Sequence, residues 1–204
     1  MAPSLLVFTV LPCKSREAQQ KAIEFLSTSA QAMLKNEPNN KKYGICTSST
    51  DPDDLCVYMI EESVQPWWYS LSGRSRKAAV EHPLSGEILL ENYDIVEGCS
   101  LSPRPEVGQH KNCSIAFGTY TINEGTMAQK LQHWNDALSS KAGAADEGPL
   151  VFLVGQNKAD PNKMSTVEAF KSREDAVRFQ TTIGAQAEMQ YRWLKQVGGY
   201  LYKE

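Results

Sequence analysis

Positive charge is not concentrated anywhere in the 204-residue chain: 21 Lys and Arg stand against 24 Asp and Glu, the formal charge is −3 and the pI is about 5.7. Without a basic patch there is no electrostatic grip on a phosphate backbone, so nucleic acid is not an expected partner. Histidine is scarce. His82, His110 and His133 are spread over two expected helices and a connecting segment, and they lack the spacing of a metal-ligand set, so no metal is expected. The five cysteines, Cys13, Cys46, Cys56, Cys99 and Cys113, are odd in number, far apart and without a C-x-x-C, which points to reduced thiols and a cytoplasmic compartment. The apolar run at residues 4–10 has no basic region ahead of it. Pro12-Cys13-Lys14 closes it before it reaches the length of a signal segment or a membrane span, so no membrane association is expected and the run reads as a strand. Absent too are G-x-S-x-G, H-E-x-x-H, the P-loop and G-x-G-x-x-G, which disfavours most standard cofactor enzymes.

What the chain does have is 41% hydrophobic residues, enough for a real core, and an internal repeat. Setting residue n against n+109 without a gap pairs Phe8 with Phe117, Gln20-Lys21 with Gln129-Lys130, Phe25 with Trp134, Tyr43 with Phe152, Ile45 with Val154, Asp51-Pro52 with Asp160-Pro161 and Ser63 with Ser172. Strand, helix and turn signals keep the same offset, as expected of one fold written twice. In the first copy, residues 4–11 read as a strand and Ser15 as a helix N-cap. Ala18, Ala22, Ile23, Phe25, Leu26, Ala30, Met33 and Leu34 recur at helical spacing until Glu37-Pro38-Asn39-Asn40. Strands are expected at 43–49 and 55–60 around an Asp51-Pro52 turn, then a helix near 75–82 and a strand near 91–98. The second copy predicts strands at 114–122, 150–156 and 165–170, helices at 125–141 and 173–197, and a short strand at 200–203.

The proline-rich segment 100–110 has linker composition, dividing the chain into a first repeat at 1–99 and a second at 111–204. The expected fold is α+β: two ferredoxin-like βαββαβ repeats, each an antiparallel sheet with helices on one face. The bare faces would pack against each other around an apolar pocket.

Glu37-Pro38, Tyr43, Asp51-Pro52 and Ser63 in the first copy, and Phe152, Asp160-Pro161, Glu168, Phe170 and Ser172 in the second, resemble the antibiotic biosynthesis monooxygenase (ABM) family. Its pattern is a long helix ending in Glu-Pro, a Tyr-containing strand, an Asp-Pro turn and a strand ending in Glu-x-aromatic-x-Ser. The resemblance covers most of both halves and implies a dimeric α+β barrel formed within one chain. It also implies a cofactor-independent monooxygenase acting on an aromatic or enolisable polyketide-like molecule in secondary metabolism, with a homodimer allowed. A polyketide cyclase or isomerase using the same pocket, or a non-catalytic small-ligand-binding protein, stays open. The copies are expected to differ where Met59 and Glu61 stand against Glu168 and Phe170, and in the aromatic stretch at 64–73.

Within that stretch, consecutive Trp67, Trp68 and Tyr69 cannot all enter one core, so they are candidates to line a pocket for a planar substrate, or else cap the sheet as packing. The resemblance places a pocket-facing histidine near His82, a candidate base, with a helix-end histidine bonding carbonyls as the alternative. Arg74 is a candidate for holding an enolate oxygen, or a solvated helix start beside Arg76 and Lys77. Tyr43 and Tyr58, expected on the inner face of the sheet, are candidates for orienting a substrate hydroxyl, or ordinary core tyrosines. Trp134 and Trp193 are assigned to helix cores, and His133 to a polar face.

Overall fold

The β-branched and apolar residues of Leu5–Pro12 form strand β1, buried along nearly its whole length, as expected of a strand covered on both faces. Ser15 then caps helix α1, Arg16–Asn36, by accepting from the Ala18 backbone N–H at 3.2 Å. The computed structural model describes residues 4–64, 84–101, 107, 113–123, 125–139, 148–182 and 190–203. Along α1 the buried residues are Gln19, Ala22, Leu26, Ala30 and Met33, a single row at spacings of three and four. Phe25 and Leu34, expected in the core, lie one position off that row and are 48% and 37% exposed. Strands β2 (Asn40–Ser48), β3 (Cys56–Ser63) and β4 (Leu89–Ile95) follow. The second copy gives β5 (Ser114–Thr121), α2 (Met127–Ser139), β6 (Val151–Asn157), β7 (Lys163–Phe170), α3 (Arg173–Thr182) and β8 (Gln190–Tyr200). The fold class is the α+β one expected, antiparallel strands with helices, arranged as ferredoxin-like repeats. Among the described residues no helix is long and apolar enough to cross a membrane.

Two compact units are present, Met1–Asn92 with Lys195–Glu204, and Tyr93–Leu194. In the first, β3 lies between β1 and β2, pairing Leu5 with Ser63 through Pro12 with Cys56 on one side and Tyr43 with Glu61 on the other. Its helix-side core joins Leu26, Ala30 and Met33 of α1 to Tyr43, Ile45, Val57, Met59 and Tyr200. In the second, β7 lies between β5 and β6, and Tyr93, Asp94 and Ile95 extend the sheet beside β6. Its helix-side core gathers Trp134, Leu138 and Phe179 against Phe152, Met164 and Phe170, with Tyr120 edge-on to Trp134 at 5.0 Å. Trp134 is therefore core, as expected, although its partner in register is Leu26, since Leu26 and Ala30 keep the spacing of Trp134 and Leu138.

Two expectations are corrected. The helix read at 173–197 stops at Thr182, and 190–200 is strand β8. Tyr191-Arg192-Trp193 alternates with a period of two, and Gly198-Gly199 cannot sustain a helix. Trp193 thus lies on a strand, half-buried, with the Arg173 guanidinium 4.8 Å from its ring centre. The gapless repeat also breaks. Both hairpin turns open alike, the Asp51 and Asp160 carboxylates accepting from the N–H of Asp53 and Asn162. The first turn then spends Asp54 and Leu55 before its strand begins, whereas the second enters β7 at Lys163. Tyr43 faces Glu61 and Phe152 faces Glu168, so Glu61 is the true counterpart of Glu168, and Ser63 that of Phe170. The expected contrast between Met59-Glu61 and Glu168-Phe170 came from this two-residue slip.

Candidate functional site

Strand alternation puts Met164, Thr166, Glu168 and Phe170 on the face of β7 turned to α2 and α3. Glu168 is 1% exposed there. Its Oε1 accepts from the Thr166 hydroxyl at 2.8 Å, and its Oε2 from Gln180 Nε2 of α3 at 2.8 Å. The Tyr191 hydroxyl of β8 also hydrogen-bonds the carboxyl. Burial pushes the Glu168 carboxyl up to about 7, and the bonds from Gln180, Thr166 and Tyr191 restrain it. Tyr191 is pushed up in turn by burial, then by the Glu168 charge. Gln180 Oε1 is buried and has no hydrogen-bond partner among the described residues, so the amide can reverse and accept from a protonated Glu168. The cluster can therefore hold a proton near neutrality and give it up.

The first unit places Glu61, 3% exposed, in the equivalent position. Asn40 Nδ2 donates to Glu61 Oε1 at 2.8 Å, and the Tyr200 hydroxyl donates to Asn40 Oδ1 at 2.6 Å. Tyr43 stands beside them, its phenol raised well above its ordinary range by burial, then by the Glu61 charge and Tyr200. Burial pushes Tyr200 up to about 12, with Glu61 and Glu37 adding to it.

Of the residues singled out from sequence, Tyr43 joins this cluster on the α1 side of the sheet. Tyr58 does not. It lies on the opposite face, stacked on Phe8 at 6.1 Å, its hydroxyl donating to Asp54 Oδ2 at 2.6 Å in the hairpin turn. The two tyrosines expected on one inner face are thus divided between faces, because Tyr43 pairs with Glu61 and Tyr58 with Cys46. His133 is exposed on α2, as expected. Trp67, Trp68, Tyr69, Arg74 and His82 lie outside the described residues. Sequence reasoning missed Gln180 and Tyr191, took Glu61 only as a point of difference between the copies, and used Glu168 only as a pattern match. The available signal was a charge in an apolar strand position, since Glu168 shares its face with Met164 and Phe170.

No family model matches the sequence, and no curated protein matches it. Solved structures do. A provisionally named monooxygenase from Lactobacillus acidophilus NCFM superposes with TM-score 0.77 at 9% identity, over 98% of this chain and 97% of that one. An anthrone oxidase-like protein superposes with TM-score 0.60 at 13% identity, over 95% and 91% of the two chains. An uncharacterised ferredoxin-fold protein related to antibiotic biosynthesis monooxygenases, from Listeria monocytogenes 4b F2365, gives 0.55 at 12% identity, over 99% and 96%. Over nearly its whole length, then, this chain has the fold of the antibiotic biosynthesis monooxygenase-like proteins.

Proposed function

We propose that the protein is a cofactor-independent monooxygenase acting on an aromatic or enolisable, polyketide-like small molecule. The observation that carries this reading is Glu168, a fully buried carboxyl near pKa 7 on hydrogen-bonding side chains. An activated C–H next to a carbonyl or ring needs a base whose own affinity for protons lies near the working pH, held away from bulk water. Glu168 takes that proton, and the substrate's electrons pass to dioxygen to give a carbon hydroperoxide. Loss of water then leaves a carbonyl, so that one methylene group and one dioxygen become one carbonyl group and one water. For the first unit the sequence supplies a separate set of candidates, Trp67, Trp68 and Tyr69 to bind substrate, His82 as a base and Arg74 to hold a developing oxyanion, whereas Tyr43 and Tyr58, on opposite faces of its sheet, do not face one substrate together.

Anthrone is the probe, chosen because one structural relative is an anthrone oxidase-like protein. With the full chain and no added flavin or metal, anthraquinone should form under air, above the protein-free rate, and not under argon. kcat/KM should rise with pH through about 7, as Glu168 loses its proton. Glu168→Gln should lower kcat by at least about a hundredfold while leaving the circular dichroism unchanged. An oxygen-independent product would move the assignment to cyclase or isomerase. Bound but unchanged anthrone would leave a binding protein.

A further inference from the structure

Gln180 is fully buried on α3, and its amide is bonded at one end only. Nε2 donates to Glu168 Oε2 at 2.8 Å, while Oε1 has no hydrogen-bond partner among the described residues. An amide oxygen buried without a partner is a standing cost, so packing alone gives no reason for a glutamine here. The first unit arranges its amide differently. Asn40 Nδ2 donates to Glu61 Oε1 at 2.8 Å, and Asn40 Oδ1 accepts from the Tyr200 hydroxyl at 2.6 Å. Turning that amide over would forfeit the Tyr200 bond, so its N–H stays on Glu61. No described residue anchors the far end of Gln180. Turning it exchanges one unpaired end for the other, which leaves the proton on Glu168 to decide which end faces the carboxyl.

The other partners of Glu168 also serve in both directions. Thr166 and Tyr191 present hydroxyls, which donate to a carboxylate and accept from an acid by turning one hydrogen. β6 sets Phe152 opposite Glu168 and β5 sets Ala116, while α2 and α3 bring Trp134, Leu138 and Phe179. Among the described residues, the titratable groups toward the cluster are Tyr191 of β8 and Tyr120 of β5, which acts on Tyr191.

We infer that Gln180 is a positioning residue that turns its amide over with each proton Glu168 gains or loses, Nε2 facing the carboxylate and Oε1 the acid. The carboxyl then has a matched partner in either state. Asn40, anchored by Tyr200, offers Glu61 a donor in one orientation only, so of the two buried glutamates Glu168 is the one fitted to exchange a proton. This deepens the oxygenase reading and rests on it for its purpose, since there Glu168 takes up one proton and releases it in each turnover.

Neutron diffraction tells amide nitrogen from amide oxygen, and it tests the inference on the full chain at about pD 5 and pD 9. At the higher value Nε2 should face Glu168. At the lower, Oε1 should face it with a deuteron between them, and Asn40 should keep Nδ2 on Glu61 at both. The same end of Gln180 toward Glu168 at both values, or an Asn40 that turns as well, would overturn the inference. Gln180→Met gives a second reading in solution, from the Glu168 carboxyl carbon followed by NMR against pH. A fixed donor favours the carboxylate alone, and its loss would raise the Glu168 midpoint. A reversing amide favours both forms, so the midpoint should stay within about half a pH unit of wild type, and a larger rise would overturn the inference. Neither measurement uses anthrone, so a failure here is told apart from a failure of the oxygenase reading.

Discussion

A carboxyl group taken out of water loses hydration worth several kcal/mol, and the donors around Glu168 return only part of it, which is why its pKa lies near 7 and not at the ordinary 4.5. That difference ties folding to pH. A carboxyl whose folded pKa is raised favours the folded state below the unfolded value and loses that contribution as pH rises through the folded one. Stability should therefore fall between about pH 4.5 and 7, by on the order of 3 kcal/mol from this residue. In urea titrations, the difference between wild type and Glu168→Gln should grow across that window, with the variant more stable at pH 8. Equal pH slopes would show that Glu168 does not titrate there. The ion pair of Lys42 and Glu62, both buried, gives a second prediction. Glu62→Ala leaves a buried ammonium without its counter-charge and should cost about 3 kcal/mol. Adding Lys42→Val should recover most of it, leaving the double variant within about 1 kcal/mol of wild type in urea midpoint.

At the scale of elements, β8 is held by close backbone approach. Gly199 has φ +70°, and a Cβ built there would lie 1.8 Å from the Tyr43 carbonyl oxygen. Gly199→Ala should thus cost at least about 2 kcal/mol, since backbone on β2 must move. Gly198→Ala meets only Ser27 Oγ and the tip of Ile45 and should cost less; equal thermal shifts would contradict this. The elements legible in the sequence were those written locally. Ser15 and the 22–26–30 row announce α1, and Asp-Pro announces both hairpins. β8 was not legible, because apolar residues from Val177 to Leu194 also fit a helical spacing and no glycine interrupts them after 184. The two-residue slip was hidden because both turns start with the same hydrogen bonds. The Glu168 site stayed out of reach for a related reason. Gln180 and Tyr191 come to Glu168 through tertiary packing, and nothing in their spacing from it marks them as partners.

For the whole molecule, the compact units cut the chain elsewhere than the repeats do, because residues 195–204 belong with 1–92. That segment fills real space. Tyr200 lies in the first unit's core with its hydroxyl on Asn40, Leu201 covers Gly44, and Lys203 Nζ donates to the Glu37 carbonyl at 2.7 Å. A fragment of residues 1–99 should consequently give the narrow amide dispersion of an unfolded chain in nitrogen-edited NMR, and a peptide of residues 190–204 should restore spread peaks. Native-like dispersion of the fragment alone would refute this. Synthesis on the ribosome meets the same constraint. The unit 93–194 is continuous and can close once its own residues have emerged, whereas the unit begun first must wait for 195–204. On a nascent chain stalled before that point, protease protection should appear in the later-made unit first, leaving the earlier one to the care of chaperones.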